Sequence, residues 1–358
     1  MHITRLELSQ LRNLSSVSIL PAPGLNILEG RNASGKTSLL EAIHMLCMAR
    51  SFRSLRTSQV VQHGHASLTV FAQLQDSQLQ HRLGLQRFTD NRLELRLDGQ
   101  PLRSRAELVS LLPLQLLTPE STQLVTGSPR SRRQFLDWLM FHVEHGFHSD
   151  WMNYQRLLKQ RNSLLRSRQL TTLKQWDQGL ISYAEKIDTA RKGLVAAIQP
   201  FMHDYFEKLL PGIEIALHYK QGWRREVSFE NALAESLASD SKQFVTGVGP
   251  HRCDLVLSTD KRQVADVMSR GQLKLLVVAM HLAQMDYLRS TRNKSSIVLI
   301  DDLPAELDAQ HRALLLRILD EHDHQVFITT TDRSQLDCRD CKEVKVFHVE
   351  HGQIKEVV

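Results

Sequence analysis

Apolar and polar positions alternate at the start of the chain. His2–Leu8 and Val17–Leu20 carry the period of two expected of strands, and Pro21-Ala22-Pro23-Gly24 then breaks the pattern. Leu25–Leu28 is a short apolar run that predicts a buried strand. Thr37–Met48 places Leu39, Leu40, Ile43, Leu46 and Cys47 at helical spacing. Leu68–Leu74, Gln80–Arg87 and Arg92–Leu97 alternate again, and Asp98-Gly99 is a turn signal, so a small antiparallel sheet is expected here.

From about Ser131 to Leu210 the period becomes helical. Trp151, Leu158 and Leu165 recur every seven residues. After a break at Gln169–Thr172, one row is Leu173, Leu180, Ile187, Leu194 and Phe201, and a second is Trp176, Tyr183, Ala190 and Ala197. Two heptad rows indicate helix-on-helix packing, and the short connection implies an antiparallel pair. Pro200 is expected to kink the second helix, and Pro211-Gly212 to stop it. Strand character returns at Ile213–Tyr219. The last third predicts a helix at about Arg270–Arg289, a buried strand at Ile297–Ile300, a helix at Ala309–Leu319, a strand at Val326–Thr329 and a hairpin over Val344–Val357. Strands that alternate with helices argue for a mainly parallel α/β core. The hexapeptide Phe-His-Val-Glu-His-Gly occurs at Phe141–Gly146 and again at Phe347–Gly352. Nothing around the two copies is alike, so it reads as coincidence.

Two segments carry chemistry. Gly30-Arg31-Asn32-Ala33-Ser34-Gly35-Lys36-Thr37 fits G-x-x-x-x-G-K-[ST], with a strand before it and a helix after it. In such a loop the backbone N–H groups and the helix N-terminus face phosphates. Lys36 reaches the β- and γ-oxygens of ATP, and the Thr37 hydroxyl joins the shell of Mg²⁺. Ile297–Ile300 then delivers Asp301 and Asp302 at the end of a buried strand. Asp301 is placed to hold Mg²⁺, and Asp302 to act as the general base that polarises the attacking water. The long separation of these two segments suggests a split ATPase head, which needs a third motif. Met268-Ser269-Arg270-Gly271-Gln272 stands before an apolar helix, about thirty residues ahead of Asp301. Ser269, Gly271 and Gln272 are candidates to bind the γ-phosphate of ATP held by another copy of the chain.

Composition narrows the class. The chain has 358 residues, a formal net charge of +6 and four cysteines without a disulfide framework. The positive balance suggests a polyanionic partner, nucleic acid first. No run approaches the roughly 18 apolar residues of a membrane span, so no membrane is expected and a cytoplasmic location is the default. Arg130, Arg132, Arg133, Arg156, Lys159, Arg161, Arg166 and Arg168 cluster in the helical region, with Phe135, Trp138, Trp151 and Tyr154 among them. Phosphate contacts by such a face would be sequence-independent and salt-sensitive. Cys338 and Cys341 have zinc spacing without a second pair. His142, His145 and His148 do not follow the order of a zinc protease, and they read as surface or cap residues.

These motifs together resemble the RecF family of ABC/SMC-type ATPases, bacterial recombination mediators. The resemblance runs nearly end to end. It is carried by Leu11-Arg12-Asn13-Leu14, the phosphate loop with Ser38–Ile43, Arg50–Ser54, Thr118-Pro119-Glu120 and Arg132–Asp137. Leu158–Asn162, Gly249–Arg252, Ser269–Gln272 and Asp301-Asp302 followed by Ala305–Asp308 carry the rest. It implies an α/β fold: an ABC/SMC-type P-loop ATPase head with an antiparallel β subdomain and an inserted helical arm, short and coiled-coil-like. The expected parts are 1–120 and 213–358 for the head and 121–212 for the arm. Asp308 is expected near a dimer interface.

By the same resemblance the protein dimerises on ATP and hydrolyses it slowly, with weak stimulation by DNA. It binds single-stranded, gapped or junction DNA, and acts with RecO and RecR to promote RecA loading, replication restart and SOS induction. Two other functions fit the residues: another ABC-type subunit, such as that of a transporter, or a DNA clamp that uses ATP only as a structural switch. The chain departs from the family pattern at Ala33, where Gly is usual. It departs again at Thr329-Thr330-Thr331, where many ABC ATPases have a switch His.

Overall fold

The computed structural model describes residues 1–54, 56–76, 79–322, 324–339 and 341–357. The chain divides into two compact units, Met1–Ser121 with Asn293–Val358, and Thr122–Arg292. Elements are numbered in chain order.

The first unit opens with β1 (His2–Leu11), β2 (Leu14–Ile19) and β3 (Leu25–Glu29), followed by helix α1 (Lys36–Met48). Strands β4 (Ser67–Gln75), β5 (Gln80–Phe88), β6 (Leu93–Leu97) and β7 (Gln100–Pro101) come next, then helix α2 (Arg105–Leu111) and strand β8 (Leu114–Leu117). In the second unit lie helices α3 (Gln123–Thr126), α4 (Pro129–Val143), α5 (Phe147–Ser167) and α6 (Leu173–Leu209). Strand β9 (Ala216–Lys220), helix α7 (Phe229–Gln243), strands β10 (Asp254–Thr259) and β11 (Arg262–Gln263), and helices α8 (Val264–Val267) and α9 (Arg270–Arg292) complete it. The chain returns to the first unit with β12 (Ile297–Ile300), α10 (Leu303–Glu306), α11 (Ala309–Glu321), β13 (Gln325–Thr330), β14 (Val344–Glu350) and β15 (Gln353–Val357).

Two sheets build the first unit. One is antiparallel, in the order β2-β1-β4-β5-β6-β7. The other runs β15-β14-β3-β13-β12-β8, parallel except for the edge strand β15. All residues of β12 and β13 are buried, as a parallel sheet covered on both faces requires. Ile3, Leu6, Leu28, Leu39, Ile43, Leu68, Leu299 and Phe327 share one core. Gln325, itself buried, satisfies main-chain groups of the other sheet's first strand: Ile3 N donates to its Oε1 at 2.7 Å, and its Nε2 donates to Ile3 O at 2.7 Å. A buried amide is tolerated because both of its ends are paired.

In the second unit α5 and α6 form the antiparallel pair. Leu165 clusters with Leu173, and Arg161 reaches Asp177 at 3.0 Å. In the first row Leu173, Leu180, Ile187 and Leu194 are buried as expected, and Phe201 is half-buried. The second expected row is not: Trp176 is exposed and Ala197 lies outward. The inward positions are instead Ala184, Asp188, Arg191, Val195 and Ile198. A 3.6-residue period with packing on more than one side uses i+4 neighbours where a strict heptad would use i+3. Helix α6 continues past Pro200 and ends at Leu209, before Pro211-Gly212. Residues 213–292, assigned from sequence to the C-terminal part of the head, belong to this second unit.

Candidate functional site

Strands β3, β13, β12 and β8 are parallel neighbours, so their C-terminal ends open on the same edge of the sheet. That edge is where α/β sheets present ligands. There, Asn32–Ser38, Asp301 and Asp302 line a cleft of about 710 Å³ with Arg12, Asn13 and Thr329. The volume lies within the usual range for small-molecule sites, about 300–1,000 Å³. A smaller cavity of about 380 Å³ lies at the opposite ends of the strands, near Leu25, Gln325 and Val326, away from this chemistry.

The phosphate loop is shaped by close approach. A Cβ on Gly30 would come within 2.2 Å of Val349 O and 2.9 Å of Ser34 Oγ. Gly35 has φ 122° and precedes α1 directly, so the first N–H groups of that helix open on the loop. Ala33 has φ 63°, a left-handed conformation that a Cβ opposes. The expected departure from the family pattern therefore falls on a position that does need positive φ.

The loop is braced from outside. Asn13 Nδ2 donates to Ala33 O at 3.4 Å and to Ser34 O at 3.2 Å, and its Oδ1 accepts from Ser38 Oγ at 3.0 Å. Gly352 N, in the turn between β14 and β15, donates to Ser34 O at 3.0 Å. Arg12 places its fork on buried Glu41, with bonds of 2.9 and 2.8 Å, and Ser51 Oγ also donates to Glu41. Sequence reasoning gave Asn13 and Arg12 no role beyond the family motif. An Arg-Asn pair closing a strand ahead of a phosphate loop was the available signal.

Lys36 is 9% exposed, and its Nζ donates to Gly30 O at 2.6 Å and Arg31 O at 3.0 Å. Burial lowers the Lys36 pKa from its ordinary value, while Asp302 and Asp301 oppose the shift. Thr37 Oγ1 donates to Asp301, 3.0 Å from Oδ1 and 3.2 Å from Oδ2. Thr329 Oγ1 donates to Asp301 Oδ1 at 2.7 Å and accepts from Asp302 N, also at 2.7 Å. Asp302 sits at φ 55°, ψ 53°, which turns its side chain off the strand direction and into the start of α10. The triple Thr segment is thus part of the site through Thr329, which joins the two carboxylate residues.

The donor set suits a phosphate chain and a hard cation. Hydroxyl and carboxylate oxygens converge at Thr37 and Asp301, as Mg²⁺ prefers. Ser34 Oγ is buried and has no hydrogen-bond partner among the described residues, which leaves it available to a ligand's oxygen.

Ser269, Gly271 and Gln272 belong to the second unit and open α9. Ser269 and Gly271 are exposed. Ser269 N donates to Gln272 Oε1 at 2.8 Å, and Gln272 N donates to Ser269 Oγ at 3.3 Å. This reciprocal cap fixes the helix start and leaves further N–H groups at its tip. Asp308 caps α11, accepting from His311 N at 3.0 Å, and that hydrogen bonding lowers its pKa.

The basic cluster divides in two. Arg132 is bound to Asp254 at 2.7 and 3.1 Å, and Arg133 donates to Cys253 O at 2.8 Å. Arg161 is 1% exposed and paired with Asp177 and Asp240. These three hold the second unit together and do not form an outer face. Arg130, Arg156, Lys159, Arg166 and Arg168 are exposed. Tyr154 is buried, with its hydroxyl 2.7 Å from His251 Nδ1, and Trp151 stacks on it. His142 is buried against Trp138, where a surface or cap position was expected.

The family described as the RecF/RecN/SMC N terminal domain matches residues 2–355. The chain is 40% identical over 356 residues to the DNA replication and repair protein RecF of Shewanella sediminis, with 99% of each chain covered. It is 42% identical over 362 residues to the RecF of Stutzerimonas stutzeri, covering 100% of this chain and 98% of that one. Among solved structures, a recombination mediator protein RecF with ATP superposes with a TM-score of 0.88 at 24% identity, over 99% of both chains. An Smc head bound to the C-winged helix domain of ScpA superposes at 0.61 with 16% identity, over 100% of this chain and 97% of that one. The fold is thus that of an SMC-type ATPase head, and the chain belongs to the RecF family of DNA replication and repair proteins.

Proposed function

We propose that the cleft binds ATP with Mg²⁺, and that the bound nucleotide joins two copies of the chain into a dimer that acts on DNA in recombinational repair and replication restart. The observation that carries this reading is the convergence of Thr37 and Thr329 hydroxyls on Asp301 beside Lys36. Gly30–Thr37 wrap the phosphates with main-chain N–H groups, and Lys36 swings from the carbonyls of Gly30 and Arg31 to the β- and γ-oxygens. Thr37 and Asp301 would hold a Mg²⁺ ion, which when bound would supply positive charge against the phosphates. Asp302 accepts a proton from the attacking water. The exposed tip of α9, with Ser269, Gly271 and Gln272, completes the cleft of the other copy by offering N–H groups and a hydroxyl to the γ-phosphate.

Hydrolysis is slow, because the region of the switch His is held by Thr329-Thr330-Thr331, whose hydroxyls cannot exchange a proton near neutral pH. DNA stimulates it weakly, and turnover releases the DNA. The family's setting supports single-stranded, gapped or junction DNA as the target, with RecO, RecR and RecA as partners, ahead of SOS induction. Sedimentation mass with and without ATP and gapped DNA tests the core of this reading. A dimer is expected with ATP, and Ser269→Arg should remain monomeric while still binding nucleotide. A monomer for the unsubstituted chain under every condition would sink the shared site. If Asp302→Asn blocks hydrolysis yet leaves ATP-dependent DNA binding intact, ATP is a switch and turnover only resets it.

A further inference from the structure

Between Trp151 and Arg168 the chain carries five cations and no carboxylate. Most of these residues form α5. Arg161 turns inward, where Asp177 and Asp240 take it up. Arg156, Lys159 and Arg166 remain exposed, and their spacings of three and seven put them on one face of the helix. With Met152, Gln155 and Asn162 they line an open groove of about 660 Å³. Among the described residues no ion pair reaches any of the three.

That arrangement is costly for a solvated surface alone. Like charges on one helix face repel, and surfaces that only need solubility mix the two signs. Helix α6 does mix them, with Glu185 exposed among Lys174, Lys186 and Lys192. The carboxylates that reach α5 are spent on Arg161, so the outer face keeps its whole charge.

We propose that this face of α5 is a track for the DNA phosphate backbone, independent of base sequence. The proposal rests on the DNA-handling reading above and assigns it a surface. From Arg156 to Arg166 the helix rises about 15 Å, and a duplex carries a charge every ~1.7 Å along its axis, so all three cations can meet phosphates. Gln155 adds an amide donor of the kind that contacts phosphate oxygens. Cations that meet phosphates in this way carry no sequence information.

The test uses the full chain with ATP, a fluorescein-labelled gapped duplex and a salt series read by anisotropy. Removing three phosphate contacts in R156A/K159A/R166A should flatten the slope of log K against log salt by about 2.7, and Lys159→Ala alone by about 0.9. ATP binding, followed separately with a fluorescent analogue, should not change. An unaltered slope in the triple variant, with ATP binding intact, overturns the proposal and leaves this face to an acidic protein surface. If the unsubstituted chain binds no DNA at all, the functional reading falls and the track with it. If DNA binding is present and only the slope fails to respond, the functional reading stands and the track alone is lost.

Discussion

Thr329 Oγ1 lies 2.7 Å from Asp301 Oδ1 and 2.7 Å from Asp302 N, so one hydroxyl ties together the two acidic residues of the cleft. The register explains why. Strand β13 sits between β3 and β12, with Ile328 opposite Ile300 and Thr329 opposite Leu28. The residue after Ile328 must therefore end beside the residue after Ile300. Replacing Thr329 with Val removes the hydroxyl and leaves the partly buried Asp302 N–H without that acceptor, a loss of about 1–3 kcal/mol. Titration calorimetry with Mg²⁺ and ATP should show affinity reduced roughly tenfold or more, and Thr329→Ser should restore it. Equal affinity in the Val variant would mean that Thr329 does not order the acidic pair.

Ala33 offers a substitution in the opposite direction. Its φ of 63° is strained for a residue with a Cβ, by about 1–2 kcal/mol, whereas glycine adopts it freely. Glycine also loses more backbone entropy on folding, which returns part of the gain. Ala33→Gly should raise unfolding stability by about 0.5–1 kcal/mol in urea titration, with nucleotide affinity the same or better. Ala33→Val should lower both, because a β-branched side chain is less tolerant of this conformation.

What the sequence revealed, and what it hid, follows the range of the interactions. The strand before the phosphate loop, the apolar strand ending at Asp301 and the helix after Ser269 are local patterns, and they lie where the pattern placed them. The second row of the arm departs from expectation because Trp176 and Ala197 fit a heptad by spacing alone, while the packing follows Ala184, Asp188 and Arg191. Long-range pairing decides such cases. In sequence Arg161 sits among surface cations, yet Asp240, 79 residues away, binds it at 2.8 Å in the fold. The repeated hexapeptide makes the same point. At Phe141 its first residues end a helix, and at Phe347 they lie within a strand whose following turn braces the phosphate loop through Gly352. In the cleft, the motif residues were legible because phosphate chemistry restricts their type and spacing. Asn13 was not, because it braces the loop from outside, through the carbonyls of Ala33 and Ser34 and the hydroxyl of Ser38.

The two classes of arginine should behave differently. Truncating Arg161 leaves Asp240 buried without its cation, and breaking such a pair costs about 3–5 kcal/mol. Truncating Arg156 disturbs no partner among the described residues, and its effect should stay within about 0.5 kcal/mol. Guanidinium denaturation of Arg161→Ala and Arg156→Ala measures the contrast directly. Similar midpoints for the two variants would mean that the Arg161 pairs do not hold the helices together.

Acid should unfold the protein through its buried imidazoles. Burial pushes the pKa of His44, His251 and His281 down from 6.5 to about 4. Each is then neutral in the folded chain at a pH where the unfolded chain binds a proton. Stability from these groups is full above about pH 6.5, falls as the pH drops towards 4, and levels off below it. His251 and His281 lie in the second unit and His44 in the first. A shift of this size is worth on the order of 3 kcal/mol per group. His281 packs edge-on against Phe135, so His281→Phe should fill the space and remove one titrating group. Its thermal midpoint, measured from pH 7 to pH 4, should fall less steeply than that of the unsubstituted chain. Parallel curves would show that His281 carries the same charge in the folded and unfolded states over this range.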